Sequence, residues 1–117
     1  MKNEKLSLLL QRFAAAARAH QEALEAMDED RANAHARIIN GLRAAIIRNG
    51  DDGREALLTL LESESQVVAG LAAVFSLSYN PARSLEVLRM LAAQGDLLGF
   101  RASVAIERWE SGVREEL

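Results

Sequence analysis

Apolar residues recur along this chain at intervals of three and four, which is the period of an α-helix with one buried face. Six such stretches can be delimited, at about 3–27, 30–49, 54–62, 66–78, 81–94 and 97–111. Aromatic residues are only 4% of the chain, while Leu and Ala are abundant, which favours helices over strands. The pattern therefore predicts an all-α protein of six helices.

The residues between these stretches are typical of helix boundaries. Carboxylates at Asp28 to Asp30 can cap the second helix, and Gly50 stands where a left-handed C-terminal cap of that helix is expected. Pro81 suits the first position of the fifth helix, where its missing N–H is not needed. Because the connections are short, we expect the helices to form antiparallel hairpins. The whole chain, 1–117, is predicted to be one domain. Within it we expect a helical hairpin at 3–49 and two-helix units at 53–78 and 81–111.

The two predicted units resemble each other at an offset of 30 residues. The offset pairs Leu58 with Leu88, Leu61 with Leu91, Val67 with Leu97, Val68 with Leu98, Ala72 with Ala102 and Val74 with Val104. A period of this length with two helices per unit predicts stacked hairpins, since a single hairpin cannot bury its apolar face without a neighbour. We expect a short α-superhelix.

The segments 57–61, 67–68 and 71–73 resemble a HEAT unit, in which a leucine-rich first helix precedes a valine-rich second helix with paired alanines. The longer string 50–112 is similar to a small bacterial HEAT-like family catalogued as a domain of unknown function, and the resemblance covers roughly residues 10 to 112. Ala69 stands where HEAT units usually have arginine, and 63–66 lacks their usual proline. The resemblance implies docking against other macromolecules and no particular activity or site.

The core is predicted to lie where the widest apolar faces converge, around the fourth helix, which is apolar around most of its circumference. The predicted core residues are Leu58, Leu61, Val68, Leu71, Ala72 and Val74.

Composition narrows the classes of function. Hydrophobic residues make up 50% of the chain and charged residues 26%, a balance typical of a globular protein. The formal net charge of -3, with dispersed signs, does not favour nucleic acid as a partner, and no stretch is long enough to span a membrane. The chain contains no cysteine, which excludes disulfides and cysteine-based zinc sites. The short apolar run at 8–10 does not have the form of a signal peptide, so we expect a cytoplasmic protein.

No catalytic, metal-binding or dinucleotide-binding motif is present in the sequence, so we expect a non-enzymatic protein with no cofactor. The two histidines, His20 and His35, both lie within the apolar stripes of their helices. A tight turn near Met27 would bring them to the same height, as a pH-sensitive or metal-capable pair. No third ligand is evident, and packed histidines without such a role are the alternative.

Several arginines form a second candidate feature. Arg37 and Arg48 share one face of the second helix with Gly41 and Ala44, and Arg101 and Arg108 share an edge of the sixth helix. Together they could present a basic strip to an acidic partner. Alternatively they are solvated, or paired with nearby glutamates at positions 22, 25, 107 and 110.

The sixth helix carries two apolar lines on roughly opposite sides. One contains Ala102 and Trp109, and the other contains Leu97, Phe100 and Val104. The second line either faces a partner or a second subunit, or packs against the fourth helix.

These features favour a non-enzymatic, HEAT-like protein-binding module, of which an immunity-type inhibitor of a toxin is one version. A structural homo-oligomer and a small-molecule or metal site between the first two helices are the alternatives.

Overall fold

The computed structural model describes residues 4–112, and six α-helices and one short 3₁₀-helix lie in that range. The helices are α1 (Glu4–Glu25), α2 (Glu29–Ile47), α3 (Asp51–Thr59), α4 (Gln66–Ser76), α5 (Pro81–Ala92) and α6 (Leu97–Ser111), with the 3₁₀-helix Leu60–Glu62 directly after α3. No strand occurs between residues 4 and 112. The predicted all-α class with six helices is therefore confirmed, and the hairpin arrangement is consistent with a HEAT-like fold.

Four helices begin at a residue whose side chain accepts a hydrogen bond from the backbone three residues later. Asp28 accepts from the N–H of Arg31 at 3.1 Å, and Asp96 accepts from the N–H of Gly99 at 2.8 Å. Ser65 and Asn80 cap α4 and α5 in the same way. These bonds satisfy N–H groups that have no partner within the helix. The predicted capping role of the acidic residues before α2 is thus confirmed for Asp28.

Gly50 differs from the prediction. Its φ is +65° as expected for glycine, but its ψ of −135° is not that of a left-handed helix cap, and it is the N-cap of α3. The C-cap of α2 is Arg48, which has right-handed helical geometry. The link is so short that α3 starts at Asp51 rather than near Arg54, with two carboxylates at the positive end of its dipole.

The chain divides into two compact units, one of residues up to Leu60 and one of residues from Leu61 onward. In the first unit, α1 and α2 pack along each other and α3 contacts both. In the second unit, α5 packs against α4 and α6, and α4 also contacts α6. The boundary lies inside the predicted unit 53–78, so α3 and α4 belong to different units.

The first unit is built around a seam between α1 and α2. Phe13 is fully buried, and three α2 residues spaced by seven, Ala32, Ile39 and Ile46, are also buried. Spacing by seven keeps the same helix face turned toward a neighbouring antiparallel helix. Three alanines of α1 are buried as well, namely Ala16, Ala17 and Ala23, and the distance between packed helices depends on the size of such side chains.

In the second unit the core is partly the predicted one. Three predicted core residues are buried here, namely Leu61, Val68 and Ala72. Leu58 is also buried, but it belongs to the first unit. Leu71 is only half-buried. Val74 is 37% exposed, so its predicted place in the core is wrong. The buried face of α4 is made mainly of small residues, and Val74 lies about 200° around the helix from Ala72.

A glycine in the first turn of the last helix allows a close helix approach in each unit. A Cβ atom on Gly53 would overlap the backbone carbonyl of Ile46 in α2. A Cβ atom on Gly99 would overlap the carbonyl oxygens of Leu91 in α5 and of Gln94 in the turn that follows α5. Both glycines are the third residue after the N-cap of their helix. Each position requires a residue without a side chain because backbone of the preceding helix occupies the space.

Candidate protein-binding surface

The apolar line Leu97, Phe100 and Val104, named here the α6 surface, faces away from the buried side of α6. Phe100 is 66% exposed and Leu97 is 40% exposed, while Val104 is half-buried. The buried residues of the same helix are Gly99 and Ala102. The alternative that this line packs against α4 is therefore wrong for Phe100, because Ala102 and its neighbours already occupy the inward side.

Two arginines lie along one edge of the α6 surface. Arg108 is exposed in the last turn of α6, where its charge is favourable for the helix dipole. Arg101 is half-buried, and this burial lowers the pKa of its guanidinium. The lowered pKa indicates that the charge on Arg101 has lost part of its hydration.

The opposite edge of α6 packs toward α5 and contains a different ion pair. A guanidinium nitrogen of Arg89 on α5 lies 3.7 Å from a carboxylate oxygen of Glu110 on α6. Both side chains are more than half exposed, so the pair contributes little to stability. Glu110, one of the glutamates expected to pair with the arginines of α6, is thus engaged with Arg89.

The predicted basic face of α2 is present. Arg37, Gly41, Ala44 and Arg48 are all exposed, as their spacing predicts. This face belongs to the first unit, whereas Arg101 and Arg108 belong to the second. A basic strip that combines the two helices stays a prediction.

His20 on α1 and His35 on α2 are both half-buried. The seam residues on either side of them are buried, namely Ala16 and Ala23 on α1 and Ala32 and Ile39 on α2. Because α1 ends at Glu25 and α2 begins at Glu29, this register predicts that the two histidines share one layer of the seam. No group of three or more His, Asp or Glu residues suited to a metal ion occurs within residues 4–112.

Met27, the last residue of the predicted first helix at about 3–27, lies beyond α1, which ends at Glu25. It lies in the turn with φ of +57° and is 91% exposed. The N–H of Met27 donates to the carbonyl of Leu24 at 3.0 Å, and the N–H of Asp28 donates to that of Ala23 at 2.9 Å. These two bonds form a Schellman motif, whose left-handed position is usually glycine.

Sequence reasoning missed two buried polar groups in the second unit. Ser76 on α4 and Ser84 on α5 are fully buried, and their hydroxyl oxygens have no hydrogen-bond partner. Such groups reduce stability. Neither hydroxyl is accessible to a substrate, and their only signal in the sequence is a serine within an apolar stripe.

No helix among residues 4–112 combines the length and the apolar character needed to cross a membrane.

Comparisons with known proteins identify a shared fold. No family model and no curated protein matches this chain. The crystal structure of the protein RPA1889 from Rhodopseudomonas palustris CGA009 is similar, with a TM-score of 0.82 and 21% sequence identity. The match covers 91% of this chain and 88% of that one. At this level of identity the likeness concerns the fold alone.

Proposed function

We propose that this chain is a non-enzymatic, HEAT-like protein-binding module that docks a partner through the α6 surface. The observation that carries the proposal is the 66% exposure of Phe100, next to the 40% exposure of Leu97 one turn earlier. An aromatic side chain of this size is usually buried, because exposure forfeits a large hydrophobic contribution.

The composition of the surface also supports a contact with another protein. An aromatic and two aliphatic residues form its centre, and Arg101 and Arg108 lie at its rim. Interfaces between proteins are enriched in aromatic residues and arginine, with apolar residues at the centre and polar residues around them. Contiguous apolar groups left open to water favour association.

The test replaces Phe100 by Asp and compares it with Ser103→Asp. Both variants add one negative charge to α6. Ser103 is the control because it is exposed on the same helix but is not part of the apolar line. Circular dichroism and thermal unfolding would show whether each variant folds. Affinity purification from cells that contain the protein, followed by mass spectrometry, would then identify partners retained by Ser103→Asp and lost by Phe100→Asp.

We expect Phe100→Asp to remain folded and to lose such a partner. An unfolded Phe100→Asp, beside a folded Ser103→Asp, would place Phe100 in the core and overturn the proposal. Identical partners for both variants would also overturn it.

The alternative of a homo-oligomer subunit uses the same exposed residues. Light scattering separates the two functions, because self-association predicts a dimer or larger species that Phe100→Asp dissociates. A partner-binding module predicts that Phe100→Asp leaves the oligomeric state of the chain unchanged.

A further inference from the structure

One side of the helical hairpin formed by α1 and α2 is open to solvent. Heptad positions follow from the seam, with Phe13 as an a position of α1 and Ile39 as an a position of α2. The g positions of two antiparallel helices lie on the same side of their seam, with the c positions beside them. We define the hairpin surface by these positions, which are Lys5, Leu8, Arg12, Ala15, Ala19 and Glu22 of the first helix and Arg31, Ala34, Ile38, Gly41, Ala45 and Arg48 of the second. All of them are exposed or half-buried, whereas Ala17 and Gln21, on the other side of α1, are buried.

The charges of the hairpin surface differ between its two ends. The basic residues at the end where α1 starts and α2 finishes are Lys5, Arg12 and Arg48. Glu22 lies near the other end, where Arg31 is already paired with Asp28 at 3.8 Å. Neither Arg12 nor Glu22 has an ion-pair partner within residues 4–112. The surface therefore has a basic end and, near the hairpin turn, a carboxylate that is still available.

The α1 part of this surface is symmetric about one height. Position 17 lies midway between Arg12 and Glu22, and also midway between Ala15 and Ala19. An antiparallel second copy of α1 centred there brings each arginine to a glutamate and each alanine to an alanine. Small side chains allow two helices to approach closely, and opposite charges favour this direction of pairing.

The α2 part has its largest exposed apolar side chain at the same height. Ile38 is 50% exposed. The register that puts His20 and His35 in one layer of the seam puts Ile38 at the height of position 17. A single exposed isoleucine is ordinary on a protein surface. Its position at the midpoint of the α1 pattern is informative, because one two-fold axis then serves both helices.

We propose that this chain forms a symmetric dimer through the hairpin surface, with α1 antiparallel to α1 and α2 antiparallel to α2 of a second copy. Each Arg12 then lies opposite Glu22 of the second copy, and the two Ile38 side chains meet at the axis. Arg48 lies at the height of Asp28 of the second copy. A second copy is the occupant because the surface is complementary to itself. The contact belongs to the first unit, so it is separate from the α6 surface and goes beyond the proposed function.

The size of the hairpin is sufficient for such a contact. The two helices have 22 and 19 residues, which is about 30 Å of length at a rise of about 1.5 Å per residue. Two helices packed about 10 Å apart present a face about 20 Å wide. The dimer would then bury about 600 Å² of each copy, about 1,200 Å² in total, which is the lower limit for a stable specific interface.

A single cysteine tests the position of the axis, because the chain has no cysteine of its own. Ile38→Cys should give a disulfide-linked dimer under mild oxidation, since the two thiols meet at the axis. Asn40→Cys is the matched control, as Asn40 is exposed on α2 but lies outside the hairpin surface. We expect the covalent dimer of Ile38→Cys to form at least about tenfold faster. Equal rates would overturn the inference, because they would show random collision.

Charge reversal tests the pairing of Arg12 with Glu22. Arg12→Glu and Glu22→Arg should each weaken the dimer at least about tenfold in sedimentation equilibrium, because symmetry places two like-charge contacts in every dimer. The variant that combines both changes should return to within about threefold of wild type. Arg18→Glu is the control, since Arg18 is exposed on α1 outside the hairpin surface, and it should leave the dimer intact. Circular dichroism checks that each variant is folded.

The remaining outcomes are equally decisive. A combined variant no stronger than the single ones would overturn the pairing, and so would a wild-type chain that stays monomeric at about 0.1 mM. A dimer that Phe100→Asp dissociates and Arg12→Glu leaves intact would place the contact on the α6 surface and overturn the inference. A monomer that loses a co-purifying protein through Arg12→Glu would make another protein the occupant, which also overturns it.

Discussion

The two units of this chain expose apolar side chains in different ways. In the first unit, Leu8, Met27 and Ile38 are exposed, and they lie on α1, in the hairpin turn and on α2 respectively. In the second, Val74 and Met90 are exposed singly on α4 and α5, and Leu97 and Phe100 are exposed one turn apart on one face of α6. Single exposed apolar residues are normal on protein surfaces, whereas adjacent ones indicate a contact site. Experiments on protein binding should therefore begin with Leu97 and Phe100 on α6.

The difference follows from how the helices are covered within each unit. The seam between α1 and α2 buries one face of both helices over most of their length. In the second unit, α6 contacts α4 and α5 through the side that contains Gly99 and Ala102. Since α6 has apolar residues on two sides, only one of its two lines is used for packing within that unit.

The largest expected effect compares two phenylalanines. Phe13 is 0% exposed and Phe100 is 66% exposed. Phe13→Ala should lower the free energy of unfolding by about 3 to 5 kcal/mol because it leaves a cavity. Phe100→Ala should change it by less than about 0.5 kcal/mol, as surface substitutions do. Chemical denaturation of both variants measures this, and similar losses would remove the contrast between the two residues.

A disulfide tests the register of the first unit. The chain has no cysteine, so His20→Cys with His35→Cys introduces the only pair of thiols. If the residues share a layer, the pair should oxidise readily and stabilise the protein by up to about 3 kcal/mol, the value for a loop of about 15 residues. Thiol titration and thermal unfolding report the result. His20→Cys with Ile38→Cys is the control, and faster oxidation of that pair would contradict the register.

The next effect concerns the glycines shared by both units. Gly53→Ala and Gly99→Ala should each destabilise the protein by about 1 to 3 kcal/mol, because the new methyl group meets backbone. Gly41→Ala is the control, since nothing lies within 4 Å of its Cβ position. That change should stabilise α2 by about 0.5 to 1 kcal/mol. Thermal unfolding that shows a gain for Gly53→Ala or Gly99→Ala would disprove the close approach in that unit.

The smallest effect is at the hairpin turn of the first unit. Met27 has a positive φ, which costs a residue with a side chain about 1 to 2 kcal/mol. Met27→Gly should therefore raise the free energy of unfolding by about 1 kcal/mol after the entropy cost of glycine is subtracted. Ala26→Gly, one residue earlier, lacks the positive φ and should lower stability instead. Equal changes for both variants would show that the turn is not strained.

Much of the candidate surface could be predicted from the sequence because its determinants are local. The spacing of Leu97, Phe100 and Val104 places them on one face of any helix, whatever packs nearby. Sequence alone left open whether this face was covered, since that depends on which neighbouring helix reaches it. The buried hydroxyls of Ser76 and Ser84 had no distinguishing local signal, because burial is a property of the packed unit.

By itself the sequence determined the number and approximate limits of the helices, the cap at Asp28 and the start of α5 at Pro81. Periodicity and helix-end preferences act within a few residues. Only the tertiary structure decided that Val74 faces outward and that Gly53 meets the backbone of α2, since both depend on how closely another helix approaches. It also decided that the boundary between the two compact units lies between α3 and α4. A local pattern specifies which residues share a face, and the packing of other helices determines which face is buried.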